Sequence, residues 1–361
     1  MNRNSSISSF RVFAAPLCVT GIFLLAEIFF RLTYFGLPSI IHPTEYTPVV
    51  LAHSSIIEGD DNPAIGHRLK PDIKGHYQGA EFSTNRYGFR ERDVTLEKPP
   101  GVVRIAVMGH SITMGAGVND EEVYTRILQT MLDRAYPGRY EVLNFATGGY
   151  TLHQVRVRYE FLAKPFSPDI IMFPVYYDEF VRPGAILPYD LSSKRQGWAE
   201  LRGNYVEHLF IYRALRKVFK DMTAKNISID WQKRGRKTGK SSVPGARILE
   251  DFLEKRRAEN IPVIMLGLPR LKEKYSGKLS DYYNERFRGM PGAYFIDTSA
   301  ALKGRINPKD YIYFGDTHPN ATVHRLYAEA VYDQLVPMLP AIEENLKKPA
   351  MVPSARQSRT P

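Results

Sequence analysis

A serine, a glycine pair and an Asp-x-His pair follow short apolar runs in this 361-residue chain. The run Arg104–Met108 ends in Gly109-His110-Ser111, and Tyr140–Leu143 leads into Asn144-Phe145-Ala146-Thr147-Gly148-Gly149. Ile170–Val175 leads into Tyr176-Tyr177-Asp178-Glu179, and Gly315-Asp316-Thr317-His318-Pro319-Asn320 precedes the last helical stretch. Together these are the parts of an acyl-transfer site: a hydroxyl nucleophile, N–H donors for an oxyanion, a base and its orienter. Each alone is ordinary turn chemistry. Their joint arrival matters because open parallel sheets gather active residues at the carboxyl ends of strands.

The Asp-x-His spacing fits that role. Pro319 pushes His318 toward extended backbone, where residues i and i+2 project to one face. Asp316 can then hold the His318 ring with Nε2 toward Ser111, as a triad carboxylate does. His110, adjacent to Ser111, diverges from it at a turn and reads as a turn or pocket-wall residue.

The elements that must position these groups are legible from residue 100 onward. Arg104–Met108, Tyr140–Leu143, Ile170–Val175, Ile261–Leu266 and Ala293–Ile296 are expected strands; Glu121–Ala135, Val155–Ala163, Ile248–Glu259 and Ala321–Leu339 are expected helices. Short apolar runs alternating with helical periodicity indicate an α/β domain with a parallel sheet and crossover helices. Residues 37–99, rich in Pro, Gly and His with short alternating stretches such as Gly75–Phe82, read as a juxtamembrane segment of loops and one hairpin. The expected organisation is a tail and anchor over 1–36, a juxtamembrane segment over 37–99, the α/β domain over 100–341, and a disordered polar tail over 342–361. No internal repeat is present.

Val12–Phe30 is 19 residues long and has Glu27 as its only ionisable group besides Cys18. That length approaches the ~20 residues needed to cross a bilayer. Glu27 stands four residues before Arg31, a favourable ion-pair order that lets both reach the interface together. Arg3 and Arg11 precede the span and place the N-terminus in the cytoplasm. No small-x-small cleavage site follows, so the expectation is an uncleaved anchor with an exported C-terminal domain. That makes the protein a single-pass membrane chain. One cysteine excludes an intramolecular disulfide and cysteine-based metal clusters.

Composition is that of a globular chain, with 43% hydrophobic and 24% charged residues. The net charge of +11 is concentrated: residues 213–240 hold ten Lys and Arg against Asp221 and Asp230. The bland reading is a solvated helix and loop; the sharper one is a surface for anionic lipid or an acidic glycan. Export argues against nucleic acid. Gly109, Gly115 and Gly117 match neither phosphate-loop pattern. His153, His208 and His324 have no metal-site spacing and read as surface or helix residues. Nothing in the sequence demands a cofactor or a metal.

The blocks RIAVMGHSITMGAGV, VLNFATGGYTLHQ and DTHPNATVHRLYAEAV resemble those of the SGNH (GDSL-type) hydrolases. LLAEIFFRL, followed by Asn85-Arg86-Tyr87-Gly88-Phe89-Arg90, is similar to the membrane-anchored bacterial branch of that family. The resemblance implies a three-layer α/β/α sandwich around a parallel, flavodoxin-like sheet. It also implies ester hydrolysis or acyl transfer, often on O-acetylated carbohydrate, with Ser111 as nucleophile, His318 as base and Gly149 as oxyanion donor. Three positions depart from the pattern. His110 replaces the Asp of G-D-S, Tyr177 replaces the oxyanion Asn, and Asp316 makes the final pair Asp-x-His with Gly315 at the usual Asp position. The expected function is a serine esterase or O-acyltransferase, with Tyr177 at the oxyanion edge. The rival reading is a catalytically inactive glycan-binding or assembly subunit.

Overall fold

The computed structural model describes residues 4–46, 55–175, 206–213, 215–216, 244–269, 283–285, 287–307, 310 and 318–347. The chain divides into two compact units. One gathers Met1–Ser55, His76–Gly79 and Ser193–Gly239; the other gathers Ile56–Gly75, Ala80–Ser192 and Lys240–Pro361.

In the first unit, helix α1 (Asn4–Phe35) runs for 32 residues with Pro16 inside it. Its stretch Pro16–Phe35, 20 residues with a hydropathy of 1.7, is long and apolar enough to cross a bilayer or to act as a signal sequence. A one-turn helix, Pro38–Ile41, follows.

The second unit is built on a parallel sheet. Before it, β1 (Ile57–Gly59) pairs antiparallel with β2 (His67–Leu69). Strands β3 (Lys74–Tyr77) and β4 (Ala80–Ser83) flank Gln78 and Gly79, whose φ values of 54° and 80° are those of a type I′ turn. The sheet strands are β5 (Val103–Val107), β6 (Tyr140–Asn144), β7 (Ile170–Val175), β8 (Val263–Gly267) and β9 (Ala293–Asp297). Their order is β6-β5-β7-β8-β9, every pair parallel. All residues of β5, β7 and β8 are buried, as expected of strands covered on both faces.

Alternate side chains serve two cores. Met108, Phe145 and Phe173 pack with Leu152 and Phe252 on one side; Ile105, Val107 and Val142 pack with Leu128, Tyr327 and Val331 on the other. Helices α4 (Leu152–Arg158) and α5 (Pro244–Ala258) cover the first face. Helices α3 (Tyr124–Ala135) and α6 (Ala321–Leu346) cover the second, and a single turn, α2 (Ser111–Met114), follows β5. The result is the three-layer α/β/α sandwich.

Several boundaries differ from expectation for local reasons. The helix expected from Glu121 starts at Tyr124, because Asn119 and Glu122 form a capping box around a separate turn and Val123 is extended. The helix expected from Val155 starts at Leu152, capped by Thr151 and Gln154, and passes into a π turn over Tyr159–Ala163. The third starts at Pro244 rather than Ile248. Helix α6 runs through Pro337 and Pro340 to Leu346 instead of stopping at Leu339, with Leu335, Leu339 and Ile342 buried along it, so residues 342–346, expected in the tail, are helical. Ala80 onward clusters with the sheet, and Arg104, fully buried on β5, binds the chain before the first sheet strand to it: its guanidinium donates to the carbonyls of Thr95 and Leu96 at 2.7 Å and of Phe166 at 2.8 Å.

Candidate active site

The carboxyl end of β5 turns sharply. Gly109 has φ +146°, and a Cβ there would lie 2.7 Å from Thr113 Oγ1 and 2.8 Å from Thr113 Cβ. Only glycine fits so close a strand-to-helix turn. His110, buried, is extended, and its carbonyl accepts the Met114 N–H at 2.8 Å. Ser111 opens α2, which Gly115 closes in the left-handed conformation at φ +83°.

Arg90 holds that turn from behind. Its Nη1 donates to the carbonyls of Met114 and Gly115, its Nη2 to those of Glu81 and Val118 at 2.7 Å, and its Nε to Asp120 Oδ1 at 2.8 Å. All five donor bonds of the planar fork are thus used on one loop and its neighbours.

The neighbouring strand end is tied to the same turn. At the end of β6, Asn144 Nδ2 donates to the Thr113 carbonyl at 2.8 Å, while its Oδ1 accepts the Ala146 N–H at 3.1 Å. The Thr147 N–H reaches the Gly109 carbonyl at 3.2 Å. Beyond it, the Gly148 N–H points to Met114 Sδ at 3.2 Å, and the Gly148 carbonyl accepts from His67 Nε2 at 2.9 Å. A carbonyl can only accept, so His67 carries its proton on Nε2. Gly149 follows at φ +77° and is exposed.

His318 approaches from the segment before α6. Its Nε2 lies 2.8 Å from Ser111 Oγ. Asn320 next to it caps α6, its side chain accepting the Val323 N–H at 3.3 Å. A hydroxyl within hydrogen-bond reach of an imidazole can pass its proton to that ring as the oxygen attacks an electrophile. Ser111, His318 and Gly149 are therefore described, the first two in contact. Tyr177, Asp178, Gly315 and Asp316 lie outside the described residues.

Of the histidines expected on the surface or on helices, His324 lies on α6 and His208 in the short turn Val206–His208, and both are buried. The spacing His324, Tyr327, Val331, Leu335 places the histidine on the inward stripe of α6, a signal available in the sequence. Its Nδ1 accepts the Tyr124 N–H at 3.2 Å, which leaves the proton on Nε2. Burial first, then the positive charge of Arg90 and of His318, lowers its pKa from 6.5 to about 3. The unfolded chain therefore binds the extra proton at a pH where the folded one does not. Stability from this residue is full above 6.5 and falls as the pH drops toward 3, by up to about 1.4 kcal/mol per unit. Thermal unfolding of the full chain in detergent should show His324→Gln losing ground to the parent at pH 7.5, with the gap narrowing at pH 5. A gap that is the same at both values would mean that His324 titrates normally.

Arg90, His67, Asn144 and His324 are the supporting residues to which sequence reasoning gave no role. Among the described residues, no group of three or more His, Cys, Asp or Glu could hold a metal ion.

No protein-family model matches the chain, and no curated protein matches it. Solved structures do. The crystal structure of TesA is 15% identical and covers 65% of this chain and 99% of its own, with a TM-score of 0.41. The family 3 carbohydrate esterase of Clostridium thermocellum is 12% identical over 67% of this chain and 98% of its own, with a TM-score of 0.42. A lipolytic protein of the G-D-S-L family from Veillonella parvula DSM 2008 is 14% identical over 65% and 99%, with a TM-score of 0.38. By its own strand order, β6-β5-β7-β8-β9, and the helices on both faces, this chain has a three-layer α/β/α fold around a parallel sheet, with a serine turn after its first sheet strand.

Proposed function

We propose that this protein is a membrane-tethered serine esterase or O-acyltransferase acting on acyl esters, acetyl above all, of an envelope carbohydrate. The observation behind this reading is the 2.8 Å approach of His318 Nε2 to Ser111 Oγ at the carboxyl edge of the sheet. Ser111 attacks the ester carbonyl while His318 takes its proton. The tetrahedral oxyanion is held by the N–H groups of Ser111 and Gly149, with Tyr177 at its edge. His318 then protonates the leaving alkoxide, which departs and leaves an acyl-serine. Water or a sugar hydroxyl, deprotonated by the same ring, releases the acyl group. Asp316 holds the far side of the His318 ring.

Helix α1 supports the tether, and Arg3 and Arg11 ahead of its apolar stretch support a single-pass inner-membrane protein with the α/β domain outside the cytoplasm. The basic stretch 213–240, most of it outside the described residues, suits anionic lipid or an acidic glycan.

A fluorophosphonate probe tests the chemistry. The full chain should be labelled, and Ser111→Ala should not. The departures at His110 and Tyr177 favour one other reading, an inactive glycan-binding subunit. A folded parent chain that takes up no label would establish that reading instead.

A further inference from the structure

The apolar stretch of α1 contains two charged side chains, Glu27 and Arg31, and both are buried, at 8% and 7% exposure. Around them Leu17, Phe23, Leu24, Leu25 and Phe29 are exposed by half or more. An ionisable group on a membrane helix calls for a named partner. The pair supplies one for itself, Arg31 Nε donating to Glu27 Oε1 at 2.7 Å, but most of its hydrogen-bonding capacity goes elsewhere.

That capacity is used on backbone. Glu27 Oε1 accepts the Phe210 N–H at 2.9 Å and Oε2 accepts the Ile211 N–H at 3.0 Å. Arg31 Nη2 donates to the His208 carbonyl at 2.7 Å, and Nη1 to the carbonyls of Ser39 and Pro43 at 3.2 Å. Phe210 stacks on Phe30 and Tyr34, with ring centroids 5.4 and 4.9 Å apart. A segment about 180 residues away in sequence is thus seated on α1 by charge-assisted bonds to its main chain.

The depth of this seat is informative. Glu27 and Arg31 precede Phe35, the end of the apolar stretch, by eight and four residues. At 1.5 Å per residue that is ~12 and ~6 Å inside the end, the depth at which amphipathic segments bury their apolar face. The seated segment leaves Leu209 43% and Leu215 56% exposed, and Ile28, Phe29 and Leu32 of α1 are exposed as well. Where water is scarce, backbone groups must be paired within the protein. Glu27 and Arg31 provide that pairing for N–H groups at 210 and 211 and carbonyls at 39, 43 and 208.

We propose that residues 206–216 form an interfacial segment of the anchor, seated on α1 by the Glu27–Arg31 pair and lying in the boundary between headgroups and acyl chains of a lipid bilayer. This inference rests on α1 spanning the bilayer and is independent of the chemistry at Ser111.

The test uses the full chain with Cys18→Ser, in bilayer nanodiscs containing anionic lipid. Single cysteines replace Phe23, Leu209 or Leu215, each carrying a nitroxide whose relaxation is read against oxygen and against a water-soluble nickel chelate. Labels at 209 and 215 should favour oxygen over nickel, as the label at 23 does, but at shallower depth. Adding Glu27→Ala with Arg31→Leu should raise nickel access at 209 and 215 several-fold and leave 23 unchanged. If 23 is lipid-facing while 209 and 215 are open to nickel in the parent, the interfacial segment is disproved and the span stands. If 23 itself is open to nickel, the span fails and the inference with it. If the double substitution leaves 209 and 215 in lipid, the ion pair is not the seat.

Discussion

Ser111→Ala and His318→Ala should each lower kcat/KM for p-nitrophenyl acetate by at least ~10³, about 4 kcal/mol of transition-state stabilisation. The double variant should be little worse than either. The reason is geometric: one proton moves between Ser111 Oγ and His318 Nε2 across 2.8 Å, so removing either end removes the whole transfer. Residual hydrolysis would come from the N–H groups around Gly149, which neither substitution touches. Steady-state kinetics on the three variants decide the matter. Additive losses would mean that the two groups act separately, and full activity in Ser111→Ala would remove the nucleophile.

The second large effect is expected at Arg90, which is buried behind the serine loop. Its side chain is 2% exposed and paired with Asp120, which is 21% exposed. Arg90→Met would strip donors from the carbonyls of Met114, Gly115, Val118 and Glu81 and leave Asp120 without its cation. Breaking one side of a buried pair costs ~3–5 kcal/mol, which should appear as a large drop in Tm. Arg90→Lys separates folding from positioning. Lysine keeps the charge but cannot span five acceptors with a planar fork. Its Tm should recover in part while kcat stays ~10-fold or more below the parent with KM little changed, because a misplaced nucleophile loses rate rather than binding. A lysine variant with parental kcat would reduce Arg90 to a purely structural role.

The sheet was the most legible part of the chain. Runs such as Ile170–Val175 are apolar on both faces, and a strand buried on both faces leaves that mark in one dimension. The approach of His318 to Ser111 was legible because strand ends concentrate chemistry and because Pro319 restricts His318. Helix starts were less so. The capping boxes at Asn119 and Thr151 depend on reciprocal side-chain bonds that shift a start by three residues without changing the apolar pattern. Least legible were the contacts made across long sequence distances. Arg90 reads as one more basic residue until the carbonyls of 81, 114, 115 and 118 converge on it. Glu27 and Arg31 read as a local i,i+4 pair, and nothing at 206–211 announces that its backbone completes them. Tyr177 and Asp316 stay with the motif that suggested them.

The grip of Arg90 on the serine loop also sets where this protein can be trimmed. A fragment starting at Gly101 would retain all five sheet strands, Ser111 and His318. It would lack Arg90 under the loop, His67 on the Gly148 carbonyl, and the Thr95 and Leu96 carbonyls that satisfy the buried guanidinium of Arg104. The sheet would then outlive the geometry at its edge. A minimal catalytic fragment has to reach back to Ile56, where the second compact unit begins. Loss or exchange of the 56–99 stretch between relatives is accordingly a route by which this scaffold could keep its shape and shed its activity.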